Sequence, residues 1–182
     1  MVVHLGAVDA AVLGQSFAIA ALAAVAEHTE AELQPRLRTL VRLELLAVET
    51  DPRSPERGQY AFVQALIREV AYSTLSRKAR KTRHLASARY FESLDSEEIA
   101  GALAGHYLAA YQNAAGGQEA DALAGQARIA LRAAADRASA LGAHEQAVGF
   151  LQQAMTVTAI RNGSTRTKPP GEASRHCLYA AF

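Results

Sequence analysis

The strongest hydrophobic pattern in the chain lies between Phe62 and Leu94 and is interrupted once. In its first part, apolar residues recur every three to four positions, at Phe62, Val63, Leu66, Ile67, Val70 and Ala71. This spacing predicts an amphipathic helix whose apolar stripe faces a core. A polar turn follows at residues 73–76, and helical spacing resumes at Leu85, Ala88 and Phe91. We therefore expect two buried helices joined by a short polar turn.

Upstream of this stretch, apolar-rich segments predict short helices. Residues 2–13 have the character of the end of a helix whose beginning is missing. A break at residues 14–16 follows, and Ser16 is a suitable N-cap for a second helix over residues 17–28.

The third helix has two alternative starts. Thr29 and Glu32 have the spacing of a capping box, which would begin the helix at once. Pro35 would then fall in the second turn, whereas a separate turn at 29–33 would let it open the main helix, where its missing N–H is harmless. In either case the leucines share one side, and the arginines lie largely off it, at Arg36, Arg38 and Arg42.

After the third helix the period changes from helical to alternating. Residues 46–50 and 59–63 are short apolar-rich segments, and residues 51–58 between them are rich in turn formers. This arrangement predicts a β-hairpin with a long tip. Three helices followed by a hairpin is the order of a winged helix, with residues 51–58 as the tip of the wing.

Downstream, the pattern predicts stacked helices. Ser96 is suited to cap one of them, an Ala-rich helix covers residues 118–141, and Gly142 separates it from a partner over residues 145–160. Such antiparallel pairs bury one face on the next, as in a helical solenoid. The expected fold is mainly α: a truncated winged helix over 1–76, TPR-like helix pairs over 77–160 and a disordered or loosely packed tail over 161–182. The open end of the stack suggests dimerisation or aggregation.

Composition narrows the function classes. The formal charge of the 182 residues is +1, so no global field attracts nucleic acid or anionic lipid. A single cysteine excludes an internal disulfide and favours a reducing compartment. No Lys or Arg precedes Arg36, so a secretory signal lacks its positive region, and we expect a cytoplasmic protein without a membrane span.

Three segments carry a resemblance to a known family: AAVLGQSF at 10–17, LVRLELL at 40–46 and YAFVQALIREVAYSTLSRKARKTRH at 60–84. The last resembles the segment that follows the ATPase core in STAND-type signalling ATPases. These include bacterial adenylate/guanylate cyclases fused to an AAA-type ATPase and TPR repeats, and large LuxR-type regulators. Gln64 stands where that family usually has His. Residues 131–154 also resemble one degenerate TPR unit.

The resemblance implies a regulatory, protein-binding fragment of such a signalling protein. The chain has no G-x-x-x-x-G-K-[ST] phosphate loop and no cyclase region, and we expect no catalytic residue, cofactor or metal site. The alternative is a DNA-binding winged helix, for which Arg38 and Arg42 would have to read the major groove.

Two groups of residues are candidates for binding. A protein partner is expected in the groove of the helical stack, at Tyr107, Tyr111, Gln126 and Arg137. A basic run is a candidate for contact with phosphate or an acidic partner, although short runs of charge are usually a solvated helix face; it comprises Arg77, Lys78, Arg80, Lys81 and Arg83. The six histidines show no spacing typical of a metal site, and His106 is expected to be a hydrogen-bonded packing residue.

Overall fold

The computed structural model describes residues 2–161, and the side chains of residues 6–157. These residues form eight α-helices and one small antiparallel sheet, so the prediction of a mainly α fold is confirmed. The chain divides into two compact units, the first ending at Ala79 and the second beginning at Arg80, close to the predicted boundary after residue 76. The tail predicted over 161–182 lies outside the described residues except for Arg161, which ends the last helix.

The first unit contains, among the described residues, four α-helices and one small three-stranded sheet. Its helices are α1 (Val2–Leu13), α2 (Ile19–Ala26), α3 (Glu30–Arg42) and α4 (Ala65–Ser73). Its strands are β1 (Ser16–Phe17), β2 (Leu46–Val48) and β3 (Tyr60–Phe62). β3 lies in the middle of the sheet and pairs antiparallel with both neighbours, so the predicted hairpin gains a third strand.

The prediction that Ser16 caps α2 is wrong. Ser16 belongs to β1 and lies opposite Ala61, and Gln15 beside it binds the backbone of Phe62 through both its carbonyl and its side-chain amide. Because Ser16 is paired in the sheet, it cannot cap α2, which begins only at Ile19. Ala18 takes the N-cap position of α2 and offers no side-chain acceptor.

The prediction of a buried stripe beginning at Phe62 is also wrong. Phe62 is buried as the last residue of β3, and α4 begins three residues later. Only one edge of the predicted stripe is covered: the half-buried Ala71, with Tyr72 beside it and Leu75 just after the helix, packs on Val8 and Val12 of α1. The other edge is half exposed or more, at Val63, Leu66 and Val70.

The second unit is a stack of antiparallel helices. It contains most of α5 (Arg77–Ser93), then α6 (Ala100–Gln112), α7 (Gln118–Ala140) and α8 (His144–Arg161). α7 packs on α6 on one side and on α8 on the other. Its buried positions are mostly alanines, whose small side chains let the helix axes approach closely.

The turns of the second unit follow the predicted signals. Ser96 accepts a hydrogen bond from the backbone N–H of Glu98 and opens a short 3-10 turn, Glu97–Ile99, before α6. Gly142 has φ of 77°, a left-handed conformation that favours glycine, and it joins α7 to α8. The N–H of Ala143 then reaches back 2.8 Å to the carbonyl of Ala138 and closes the end of α7.

Candidate functional site

The helix that would read DNA in a winged helix, α3, begins with a complete capping box. The Glu32 carboxylate accepts from the Thr29 backbone N–H at 2.8 Å, and the Thr29 hydroxyl oxygen accepts from the Glu32 N–H at 3.3 Å. The pKa of Glu32 is lowered, mainly by the hydrogen bond from the Thr29 backbone N–H and next by the one that the Thr29 hydroxyl donates to the same carboxylate. The alternative in which Pro35 opens the helix is therefore wrong.

Pro35 instead lies inside α3, where its carbonyl accepts a side-chain hydrogen bond on the exposed face of the helix. It has no N–H to donate to the preceding turn, but its carbonyl accepts the hydroxyl of Thr39 at 3.0 Å. The same hydroxyl oxygen accepts a hydrogen bond from the guanidinium of Arg42 at 3.2 Å. This chain of two bonds holds the Arg42 side chain along the helix surface, toward Pro35.

An open groove lies beside this face, between α3 and the hairpin. Its volume is about 570 Å³, and its lining is Pro35, Arg38, Thr39, Val41, Arg42, Val48 and Tyr60. Val48 and Tyr60 face each other across β2 and β3. The buried ring of Phe17 stacks on Tyr60 at a centroid distance of 5.9 Å and supports it from the core. The groove thus has an apolar floor and two exposed guanidinium groups at its rim.

The hairpin tip next to this groove is not a basic wing. Residues 49–58 contain three acidic and two basic residues. Two of the carboxylates are tied into the loop: Glu49 accepts from the backbone N–H of Asp51 at 2.8 Å, and Asp51 accepts from that of Arg53 at 2.9 Å. The net charge of residues 49–58 is −1, so this loop has no excess of positive charge to attract a phosphate backbone.

The basic run from Arg77 to Arg83 does not form one surface. These residues lie in α5, where a turn of 3.6 residues distributes them around most of the helix. Arg77 and Lys78 are exposed, whereas Arg80, Lys81 and Arg83 are half-buried. The ammonium group of Lys81 binds the Glu119 carboxylate at 2.6 Å. A single anion could not contact all five side chains.

The four residues predicted to bind a partner in the helical stack do not lie together on one surface either. Tyr107 is 5% exposed, and its hydroxyl donates to Glu92 at 2.7 Å, so it is a core residue rather than a groove residue. Burial raises the pKa of Tyr107 to about 12, with a smaller effect from Glu92. Tyr111 is half-buried against the core, and its pKa is raised mainly by burial. Gln126 and Arg137 lie on the same face of α7, about 16 Å apart along its axis. Gln126 is exposed, whereas the guanidinium group of Arg137 pairs with the Glu97 carboxylate at 3.3 Å.

A pair of buried histidines is the feature that sequence spacing missed. The Nδ1 atoms of His84 in α5 and His106 in α6 lie 3.0 Å apart, and both residues are almost fully buried. Phe91 stacks on His106 at a centroid distance of 5.3 Å. The two histidines are 22 positions apart, so only the packing of two helices brings them together. His106 is a hydrogen-bonded packing residue, as predicted.

The described part of the chain contains no group of three or more His, Cys, Asp or Glu side chains arranged to hold a metal ion. None of its helices combines the length and the apolar character that a bilayer crossing requires. No family model matches the chain, and no curated protein and no solved structure matches it significantly.

Proposed function

We propose that this chain is a non-catalytic, cytoplasmic protein-interaction module, a regulatory part of a STAND-type signalling protein. In this proposal the groove between α3 and the hairpin binds an acidic, amphipathic segment of a protein partner. The observation that carries the proposal is the composition of the groove: an apolar floor at Val41, Val48 and Tyr60, with Arg38 and Arg42 at the rim. An apolar stripe would cover the floor, and flanking carboxylates would pair with the guanidinium groups.

Binding to duplex DNA is the second candidate, and one observation favours it. Arg38 and Arg42 are both exposed on the face of α3 that a winged helix presents to the major groove. Against it stand a hairpin tip without excess positive charge and the two glutamates in the first turn of α3. DNA binding needs an excess of positive charge along the contact surface, and this surface is close to balanced.

A charge-reversal experiment separates the two. The probe is a labelled synthetic peptide that forms a helix with a leucine stripe flanked by glutamates, measured by fluorescence anisotropy with the full chain. We expect saturable binding that weakens at least tenfold in the double variant Arg38→Glu/Arg42→Glu. Arg53→Glu/Arg57→Glu is the matched control, because it makes the same charge change at two exposed arginines of the same unit, on the hairpin tip rather than in the groove.

The same measurement with labelled duplex DNA tests the alternative. We expect no saturable binding at moderate salt. Tight binding that falls steeply with salt concentration and is weakened by Arg53→Glu/Arg57→Glu as well as by the groove variant would replace the proposal with DNA recognition. Failure of the peptide to bind, or equal weakening by both variants, would also contradict the proposal.

A further inference from the structure

The last described helix, α8, has two apolar faces, and within residues 6–157 only one of them is covered by other side chains. The face toward α7 is buried and consists of Ala147, Phe150, Ala154 and Val157. A second stripe lies beside it at Val148, Leu151 and Met155, with exposed fractions of 52%, 46% and 72%. A helix that is apolar over about half of its circumference is typical of a helix with neighbours on both sides. An end helix of a stack instead needs a polar outer face.

The exposed stripe has the spacing of a helix–helix seam. Its members are separated by three and then four positions, the alternation that keeps a row of side chains facing one partner helix. The stripe is therefore shaped to receive another helix.

The surroundings of the stripe carry no charge. Residues 146–157 of α8 contain no Asp, Glu, Lys or Arg, and the exposed polar positions among them are Gln146, Gln152 and Thr156. The hydroxyl of Thr156 is turned to its own helix, where it donates to the carbonyl of Gln152 at 3.0 Å. The exposed positions of α7 differ, because they include Glu119, Asp121, Arg132 and Asp136. Depletion of charge with apolar residues including Met is the composition of an interface centre.

We infer that this face of α8 binds the same face of a second copy of the chain. A twofold contact brings each side chain near its own counterpart or a close neighbour, so a charged face would repel itself. This neutral face can meet itself without burying a charge. The stripe from Val148 to Met155 spans about 10 Å of α8. A contact of this length is small, so we expect a weak, concentration-dependent dimer.

The surface is independent of the groove on α3, because it lies on a different unit of the chain. The experiment is sedimentation velocity of the full chain over a concentration series from low to high micromolar. We expect a monomer–dimer equilibrium for the native sequence and a monomer over the whole series for Met155→Glu. The double variant Arg38→Glu/Arg42→Glu should dimerise like the native chain, so the two proposals can fail separately.

The matched control is Ile129→Glu. Ile129 is 72% exposed, like Met155, but it lies on α7, opposite that helix's buried face. Both variants add the same charge at equally exposed apolar positions, so their folds should be equally intact by circular dichroism. A monomeric native chain at the highest concentration would overturn the inference. Equal loss of association in both variants would do the same, because it would indicate general stickiness rather than a seam.

Discussion

The buried pair of His84 and His106 gives the sharpest prediction about stability. Their Nδ1 atoms are 3.0 Å apart, so one must donate a hydrogen and the other must accept it. His84→Leu removes one partner and leaves the His106 nitrogen without this bond in the core. We expect a loss of about 1–3 kcal/mol in the free energy of unfolding, the usual result when a buried polar atom loses its partner. His106→Leu should have a similar effect.

The double variant His84→Leu/His106→Leu removes both polar atoms together. Its loss should be smaller than the sum of the single losses, with a coupling of about 1–2 kcal/mol. Hydrogen exchange of backbone amides in α6 and α7 measures the change in this unit separately from the first. Additivity of the single losses to within about 0.3 kcal/mol would refute the account of a shared hydrogen bond.

Three further predictions concern single contacts. Tyr107→Phe removes the hydrogen bond to Glu92 and should cost about 1 kcal/mol in unfolding free energy. Because the pKa of Tyr107 is raised from 10.0 to about 12, its contribution is complete below pH 10 and lost as pH rises through 12, which absorbance titration and unfolding at high pH would show. Thr29→Ala should cost about 1 kcal/mol in thermal unfolding, because α3 loses its N-cap. The pKa of Glu32 is lowered from 4.5, so its contribution is complete above pH 4.5 and lost as pH falls through the lowered value. Gly142→Ala should cost about 1 kcal/mol in urea unfolding, because alanine is strained at a φ of 77°.

Each of these predictions has a matched control. Tyr60→Phe leaves the buried hydroxyl of Tyr107 in place, so the late phenolate titration should persist. Thr50→Ala removes an exposed threonine outside any helix and should change thermal unfolding by less than about 0.5 kcal/mol. Gly125→Ala places the new methyl group in open space within α7 and should be neutral or stabilising. If a control variant changes the measured titration or stability as much as its test variant does, the corresponding explanation is wrong.

Local signals in the sequence were sufficient for most elements. The glycine at 142 and the alternation around residues 46–63 each act within a few residues, so the turn and the hairpin could be predicted. The capping box at Thr29 is also local, but Pro35 left two possible starts for α3. The stripe through Leu66 and Val70 could not be assigned correctly. Periodicity shows that a helix has an apolar side, whereas the packing of α1 against Ala71 and Tyr72 decided which side was covered.

Only part of the lining of the candidate groove could be predicted from the sequence. Arg38 and Arg42 share a helix face because they are four residues apart, and this much was predicted. Val48 and Tyr60 complete the groove through strand pairing, which joins residues 12 positions apart and depends on register. Tyr107 was predicted to line a groove but is buried in the core. The sequence could not distinguish the two, because an aromatic residue on a helix can face either a groove or the core.

The most direct test of the central claim is a nuclear magnetic resonance titration of the full chain with the acidic amphipathic peptide. If the groove between α3 and the hairpin is the binding surface, backbone amide shifts should change at the residues that line it, from Arg38 to Arg42 and around Val48 and Tyr60. Shift changes confined to the helical stack, or larger changes at the hairpin tip with duplex DNA than in the groove with peptide, would contradict it.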